Sequence, residues 1–407
     1  MQRPYLRIPY TDILPAPTVI PKTATTIAGA VAALQEFFGS SSSSARQHGT
    51  PHDHPSTVVL TGAGISVASG LADYRGTKGT YRVNKTYRPI YYNEFVSNHE
   101  ARKRYWARSF LGWTTLHKAR PNASHYAVKH LGDLGLVRSV ITQNVDSFHP
   151  QAHPLIPTIE LHGYLRSLVC INCHEELPRD VFQDELARLN PAWAAFLDEV
   201  KASGALDTEN PDERNARGMR TNPDGDVDLP GAPYTTFRYP ACPRCLARPP
   251  RAADGSGAAV ETDADGAWKP SSTAGILKPA VIMFGESVRP ETKVAAEEAL
   301  ESADRLLVLG TSLATYSAWR LAKRAKDRGI PMAIVNLGGV RGEDKFFADI
   351  DPSGRGDRGV RIELSTDELL PPLVEQLRQH SKIEAAQEHQ DHTVEKHGAS
   401  VFKDMMS

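Results

Sequence analysis

Between Val58 and Gly76 the chain reads VVLTGAGISVASGLADYRG, a stretch that few folds can accommodate. Thr57 to Thr61 is a β-branched run of the kind that forms a buried parallel strand. It empties into Gly62-Ala63-Gly64, where missing side chains let the backbone turn sharply and approach a ligand. Ile65, Ser66, Val67 and Ala68 read as the first turn of a helix, whose free N–H groups and dipole suit a phosphate. Strand, glycine turn and helix point to a dinucleotide or another phosphate ligand.

The dehydrogenase fingerprint fails in detail. Its third glycine falls at position 67, which is Val67, and Gly70 comes three residues late. No acidic residue ending a second strand stands about twenty residues on. Asp73-Tyr74-Arg75-Gly76 follows at once, a charged pair that either closes over a nucleotide or forms a solvated turn.

At 407 residues the chain holds one large domain plus a smaller one, or two of similar size. A net charge of −1 argues against general affinity for nucleic acid or anionic membranes. No run of eighteen apolar residues offers a transmembrane helix. The four cysteines fall in two CxxC pairs, Cys170/Cys173 and Cys242/Cys245. With no spare thiol and no secretory signal, an intracellular metal pattern is expected rather than a disulfide framework. Each pair supplies two thiolates from one turn, and a closed four-thiolate shell leaves no open position, so structural zinc is expected over redox chemistry.

Along the chain, residues 1–22 carry Arg3, Arg7 and Lys22, one acid (Asp12) and five prolines. That is either a proline-broken mitochondrial presequence or an ordinary extension. Residues 24–38 have helical spacing and are expected beside the first strand; a serine-rich linker with His48, His52 and His54 completes an extension over 1–56. Residues 77–120, rich in aromatic and basic side chains, predict a helical lid over the nucleotide end.

A helix over 122–134 and a second buried strand, Val137 to Thr142, lead into Gln143-Asn144-Val145-Asp146. Polar residues at the carboxyl end of a parallel strand lie where α/β sheets bind ligands. Thr158 to His162 reads as a short strand, and His162 beside Gly163 is either a general base or a satisfied structural histidine. Residues 178–200 look helical, while 204–234 and 249–275 are polar, Gly/Pro/Asp-rich insertions expected to be mobile.

From Ile276 strand and helix alternate again. Strands are expected at Val281 to Phe284 (ending in Gly285-Glu286), at Arg305 to Leu309 (ending in Gly310-Thr311-Ser312), at Met332 to Asn336, and at Arg361 to Leu364; a helix over 366–379 precedes a disordered tail over 381–407. The fold class is α/β. A doubly wound parallel sheet over 57–165 and 276–380 carries its binding edge at the strand carboxyl ends, with a metal module over 166–275 inserted.

GAGISVASGLADYRG, TQNVDSFH, ELHG, the two CxxC knuckles, LKPAVIMFGE, GTSL and NLG stand in the order and spacing of the sirtuins. The chain resembles that family from about Ala24 to Gln379, and RPIYYNEFVSNHEARKRYWARSFLGW is similar to the mitochondrial class II branch that contains the fourth mammalian sirtuin. The resemblance implies a Rossmann-like, deoxyhypusine-synthase-like NAD-binding domain with a small four-cysteine zinc domain. It implies cleavage of the nicotinamide–ribose bond of NAD and transfer of ADP-ribosyl to the acyl oxygen of an acylated lysine, giving lysine, nicotinamide and O-acyl-ADP-ribose.

Carried over by motif, Gly62, Ala63, Gly64, Ile65 and Ser66 line the pyrophosphate and ribose, and Asp73, Tyr74 and Arg75 belong to the cofactor loop. Gln143 holds the ribose; Asn144, Val145 and Asp146 serve ribose and carboxamide; His162 is the base. Gly310, Thr311 and Ser312 meet the ribose phosphate, and Asn336, Leu337 and Gly338 the adenosine side. The acylated-lysine protein substrate is expected as an added strand between Phe284-Gly285-Glu286 and Leu313-Ala314-Thr315.

Ala72 departs from the family's proline, Tyr74 from its phenylalanine and Ala152-His153 from its Ala-Gly. The Tyr–Arg pair of malonyl- and succinyl-specific sirtuins finds no match among Tyr81, Arg82, Tyr87 and Arg88. Mono-ADP-ribosyl transfer, and an NAD sensor or acyl-lysine reader, are the competing readings. The neutral charge argues against a direct nucleic-acid partner, and the oligomeric state is left open with a monomer expected. The branch resemblance further implies a place in the mitochondrial matrix, with nucleus or cytoplasm as alternatives.

Overall fold

The computed structural model describes residues 11–39, 56–83, 87–204, 220–223, 225–229, 231–251 and 255–381. Its strands are β1 (Thr57–Thr61), β2 (Val137–Thr142), β3 (Thr158–Glu160), β4 (Gly163–Cys170), β5 (Glu176–Pro178), β6 (Arg220–Thr221), β7 (Val227–Asp228), β8 (Leu277–Val281), β9 (Arg305–Leu309), β10 (Met332–Val335) and β11 (Gly359–Ile362). Six of them form one parallel sheet in the order β11-β10-β9-β1-β2-β3. Every residue of β1, β9, β10 and β11 is buried, as expected where helices cover both faces.

The helices early in the chain are α1 (Ile27–Gly39), α2 (Thr80–Val83), α3 (Tyr92–Ser97), α4 (His99–Lys118), α5 (Ala123–Asp133), α6 (Phe148–Ala152), α7 (Arg179–Leu189) and α8 (Pro191–Ala202). One sheet face is covered by α1, α5 and a helix over 366–381, through Leu34, Phe37, Leu131 and Leu373. The other is covered by helices Pro290–Glu301 and Tyr316–Asp327, through Leu300 and Leu321. This is a doubly wound α/β fold. Successive strands step outward one way from β1 to β3 and the other way from β9 to β11. The switch point therefore lies between β1 and β9, where such sheets open a ligand crevice.

Helix α1 packs chiefly on β11, three positions from β1, rather than beside β1 as its sequence position suggests. Glu36 accepts a hydrogen bond from the Gly356 amide at 2.8 Å, and a Cβ on Gly356 would stand 2.3 Å from the Ala33 carbonyl, so that turn holds the helix at the sheet edge.

The antiparallel sheet β5-β4-β8 carries the cysteine module. The strand expected at Val281 to Phe284 is corrected here: it spans Leu277–Val281 and pairs with β4, outside the parallel sheet. Its sequence hides it, because Lys278 and Pro279 stand inside the strand. Lys278 is nevertheless buried, donating to the carbonyls of Pro279 and Val281 and pairing with Glu286 at 3.3 Å.

The expected mobile insertions are also corrected wherever they are described. Trp268 is buried and donates its indole N–H to the Ala274 carbonyl, while Arg238 pairs with both Asp263 and Asp265. The ribbon β6–β7 lies on α4, where Gly112 admits it: a Cβ there would stand 1.8 Å from the Gly225 carbonyl. The serine-rich linker with His48, His52 and His54, the basic residues Arg3 and Arg7, and 382–407 lie outside the described residues. No described helix is long and apolar enough to cross a membrane.

Candidate active site

The carboxyl ends of β1, β2 and β9 open into one cavity of about 1200 Å³. Its wall brings together Gly62, Ala63, Gly64, Ser66, Asp73, Tyr74, Arg75, Gln143, Asn144, Val145, Asp146, His162, Phe284, Gly285, Glu286, Gly310, Thr311, Ser312, Asn336, Leu337 and Gly338. These residues come from loops more than 270 positions apart in sequence, gathered by the topology described above.

The two glycine loops meet each other before they meet any ligand. A Cβ on Gly62 would lie 2.6 Å from Thr311 Cβ, and one on Gly64 would lie 2.7 Å from the Gly310 carbonyl. Gly310 also has φ +58°, the left-handed region. The amides of Gly62, Gly64 and Ile65 donate to Leu309, Gly310 and Gly62 carbonyls, so the free N–H groups expected at this turn are largely spent inside the fold. The turn itself is a 3₁₀ stretch, Ala63–Ser69, not the start of an α-helix. On the facing loop, the amides of Thr311 and Ser312 have no hydrogen-bond partner among the described residues.

Two sequence-predicted residues leave the wall. Ile65 is 1% exposed and packs in the core between α1, α5 and the sheet. Leu313 is fully buried in the core on the opposite face, so its side chain is unavailable to a substrate. Each follows a polar or glycine turn and turns inward because its apolar surface is worth more in the core than in a wet cleft.

Behind the wall the polar side chains interlock. Asn144 Nδ2 donates to the Gly62 carbonyl and to Ser66 Oγ, both at 3.1 Å, and Ser66 Oγ donates to Asp146 Oδ2 at 2.7 Å. Phe148 N donates to Asp146 Oδ1 at 3.0 Å. Burial pushes Asp146 up to about 6, against the pull of these donors. Gln143 Nε2 donates to Thr61 O and Thr311 Oγ1, and Gln143 Oε1 accepts from Thr315 Oγ1, tying β1, β2 and β9 ends together.

His162 stands two residues past β3. Its Nδ1 lies 3.1 Å from the Gln143 carbonyl, which can only accept, so Nδ1 carries the proton and Nε2 keeps its lone pair. Nε2 is 2.7 Å from Ser317 Oγ, a cavity-lining hydroxyl that sequence reasoning missed. Burial lowers His162 to about 4, so the imidazole is neutral near pH 7. Gly163 follows with φ +74°, and a Cβ there would stand 2.1 Å from the Ala280 carbonyl of β8.

The loop over 73–76 is ordered by aromatic packing: Tyr74 stacks on Tyr81 at 5.6 Å, Arg75 lies over Tyr81 at 5.0 Å, and Tyr74 meets Phe284 edge-on. Asp73 Oδ1 accepts from Gly76 N at 3.0 Å; burial raises its pKa. The same cavity is also lined by Tyr87, Ile90, Tyr105, Arg108, Pro223 and Asp226. Arg108 and Asp226 form a buried ion pair at 2.6 Å that sequence reading missed, since 117 positions separate the partners.

The four cysteine sulfurs lie within 4.8 Å of one another, with Cys170–Cys245 at 3.6 Å and Cys173–Cys242 at 3.7 Å. Zinc–thiolate bonds of about 2.3 Å in a tetrahedron set sulfur–sulfur edges of roughly 3.8 Å, so this cage fits a zinc ion held by four thiolates.

A model of the Sir2 family matches residues 62–317. The chain is 37% identical over 333 residues to the NAD-dependent protein deacylase SIR4 of Batrachochytrium dendrobatidis, covering 80% of this chain and 91% of that protein. It is 34% identical over 294 residues to the mitochondrial NAD-dependent protein lipoamidase sirtuin-4 of Bos taurus, covering 72% and 78%. A solved mutant Sir2 homologue in complex with ADP ribose superposes with a TM-score of 0.50 at 21% identity, covering 86% of this chain and 96% of that one, a likeness of fold. The chain belongs to the Sir2 family.

Proposed function

We propose that this chain is an NAD-dependent protein-lysine deacylase. The observation that carries the reading is one cavity holding both glycine loops, the Asn144–Ser66–Asp146 network and a neutral His162 whose Nε2 faces a hydroxyl. Bound NAD supplies an activated nicotinamide–ribose bond whose loss leaves an electrophilic ribose carbon.

The chain's own groups suit that chemistry. Asp146 is a fixed acceptor for a carboxamide N–H, and Asn144 and Gln143 are held rigidly enough to orient ribose hydroxyls. Thr311 and Ser312 offer amides to a phosphate. His162 Nε2, unprotonated and accepting from Ser317 Oγ, takes a proton from a reacting hydroxyl that displaces that serine. The acylated peptide lies along Phe284-Gly285-Glu286 and Ala314-Thr315, whose backbones line the cavity. The Phe284 carbonyl is already used by Tyr92 N, so pairing on that side starts at Gly285. A zinc ion in the four-cysteine cage would hold the module from which β8 delivers Phe284.

The test is nicotinamide release by the zinc-loaded protein across lysine peptides carrying acetyl, longer acyl, acidic acyl and lipoyl groups. Release that matches lysine unmasking supports the reading; release indifferent to every peptide overturns it. We propose the mitochondrial matrix as the compartment, on the branch resemblance; a tagged full-length chain excluded from mitochondria refutes it.

A further inference from the structure

One part of the cavity wall comes from a stretch of chain that the Sir2 family model does not reach. Thr11, Asp12, Ile13 and Leu14 line the same cavity as the two glycine loops, although the matched residues begin at 62. They form the leading end of a strap over 11–20 that has no helix and only one strand-like bridge, at Ile20. Pro15 and Pro17 have fixed φ angles, which keeps the strap extended at little cost in entropy.

The strap is held at two places. At Ile20 its backbone pairs with Arg361 of β11: Ile20 N donates to the Arg361 carbonyl at 2.9 Å, and Arg361 N donates to the Ile20 carbonyl at 2.7 Å. The Ile20 side chain is buried in the core. Nearer the cavity the strap lies on Gly339, where a Cβ would stand 2.1 Å from the Pro15 carbonyl and 2.9 Å from Leu14 Cβ. Gly339 follows Asn336-Leu337-Gly338, the loop assigned to the adenosine side. Arg361 holds that loop as well. Its buried guanidinium donates to the Asn336 carbonyl at 3.0 Å and to the Gly338 carbonyl at 2.6 Å, and pairs with Glu343 at 2.5 Å. Strap and loop are thus fixed to one residue and touch each other at the cavity wall.

That wall lacks a cover. Ile13 is 75% exposed and Leu337 is 58% exposed; both line the cavity, one and two positions from the contact of Leu14 with Gly339. Large apolar side chains left in water on a cavity wall gain when a flat, largely apolar ligand lies against them. The amides of Thr11 to Leu14 have no hydrogen-bond partner among the described residues.

We propose that the strap is part of the dinucleotide site: Ile13 and Leu14, with Leu337, wall the adenine of NAD, and the bound base in turn pins the strap. This role rests on the NAD reading of the cavity given above.

The test uses the full, zinc-loaded chain with ADP-ribose as the probe, in two measurements that need no turnover. Hydrogen exchange at the amides of Thr11 to Leu14 should slow when ADP-ribose binds the natural protein. In calorimetric titrations, Ile13→Ser, at a side chain that stands in water, and Gly339→Ala, whose new Cβ displaces the Pro15 carbonyl, should each bind ADP-ribose about tenfold more weakly. Peptide KM at saturating NAD should stay within about threefold in both, which a general loosening of the fold would not allow. Unchanged exchange on binding, or either variant binding as tightly as the natural protein, overturns the proposal. If a variant melts early, exchange in the natural protein alone decides. A natural protein that binds no ADP-ribose sinks the NAD reading itself, and the role of the strap falls with it.

Discussion

Ser66 Oγ donates to Asp146 Oδ2 across 2.7 Å, joining the turn after β1 to the loop after β2. Burial raises Asp146 to about 6, and the Ser66 hydroxyl is among the donors that hold it down. An acid thus sits close to physiological pH at the point where a carboxamide is to be recognised. Ionised Asp146 is the better acceptor, so kcat/KM for NAD should fall as pH drops through about 6. Ser66→Ala removes a donor to the charged form, which should move that limb to higher pH and cost roughly tenfold at pH 7. A pH profile of initial rates checks it; an unmoved limb refutes the coupling.

His162 behaves in the opposite sense. Its pKa is lowered by burial to about 4, so Nε2 stays bare from neutral pH down to about 4, and no limb near the ordinary imidazole value of about 6.5 should come from it. The same shift bears on stability. Above about 6.5 folded and unfolded chains are both neutral at this site; between there and about 4 only the unfolded chain gains the proton, so stability is lost as pH falls. His162→Ala should cut deacylation by about 10²–10⁴-fold and make the pH 7 to pH 5 loss of stability smaller than in the natural protein. Paired urea titrations and rate measurements read both effects.

Much of the fold was legible because the binding edge of a parallel sheet writes itself as β-branched runs ending in small or polar residues. β1 and β2 start and stop where the runs predict, and Gln143, Asn144, Asp146 and His162 reach one cavity. The illegible parts have physical reasons. The strand around Lys278 disguises itself with a buried charge neutralised by Glu286 and two carbonyls. Ile65 and Leu313 follow the right turns but point inward, a matter of side-chain direction that a motif does not carry. The 249–275 segment reads as polar, yet a buried tryptophan and an Asp–Arg cluster tie its described part to the rest of the module.

The zinc cage predicts an asymmetric defect. Gly275 O accepts from Cys242 N and Gly275 N donates to Asn172 Oδ1, so the knuckles hold the residue before Ile276 and β8. β8 then sets Phe284, whereas the glycine loops hang on the parallel sheet. Cys245→Ser or chelation should loosen the module and raise peptide KM about tenfold, while NAD affinity stays within about threefold. Calorimetric NAD titration beside peptide kinetics tests this; equal losses would show that the sheet and the module depend on each other for their order.

The ion pair of Arg108 and Asp226 sits in the wall of the same cavity, both partners 5% exposed. A guanidinium so placed would attract an acyl chain ending in a carboxylate, but Asp226 already neutralises it and would repel that terminus. An acyl chain that reaches this pair should therefore be favoured when it is neutral. Asp226→Asn leaves the arginine charge buried, which costs about 3–5 kcal/mol of stability when nothing replaces the partner. An acidic acyl chain would supply the missing charge. The variant should melt lower than the natural protein and recover part of that loss when an acidic-acyl peptide is added. Its kcat/KM ratio of acidic-acyl to acetyl peptide should rise at least about tenfold. A ratio that does not move would mean that the acyl chain stops short of Arg108, and that the pair serves only to fasten the β6–β7 ribbon to α4.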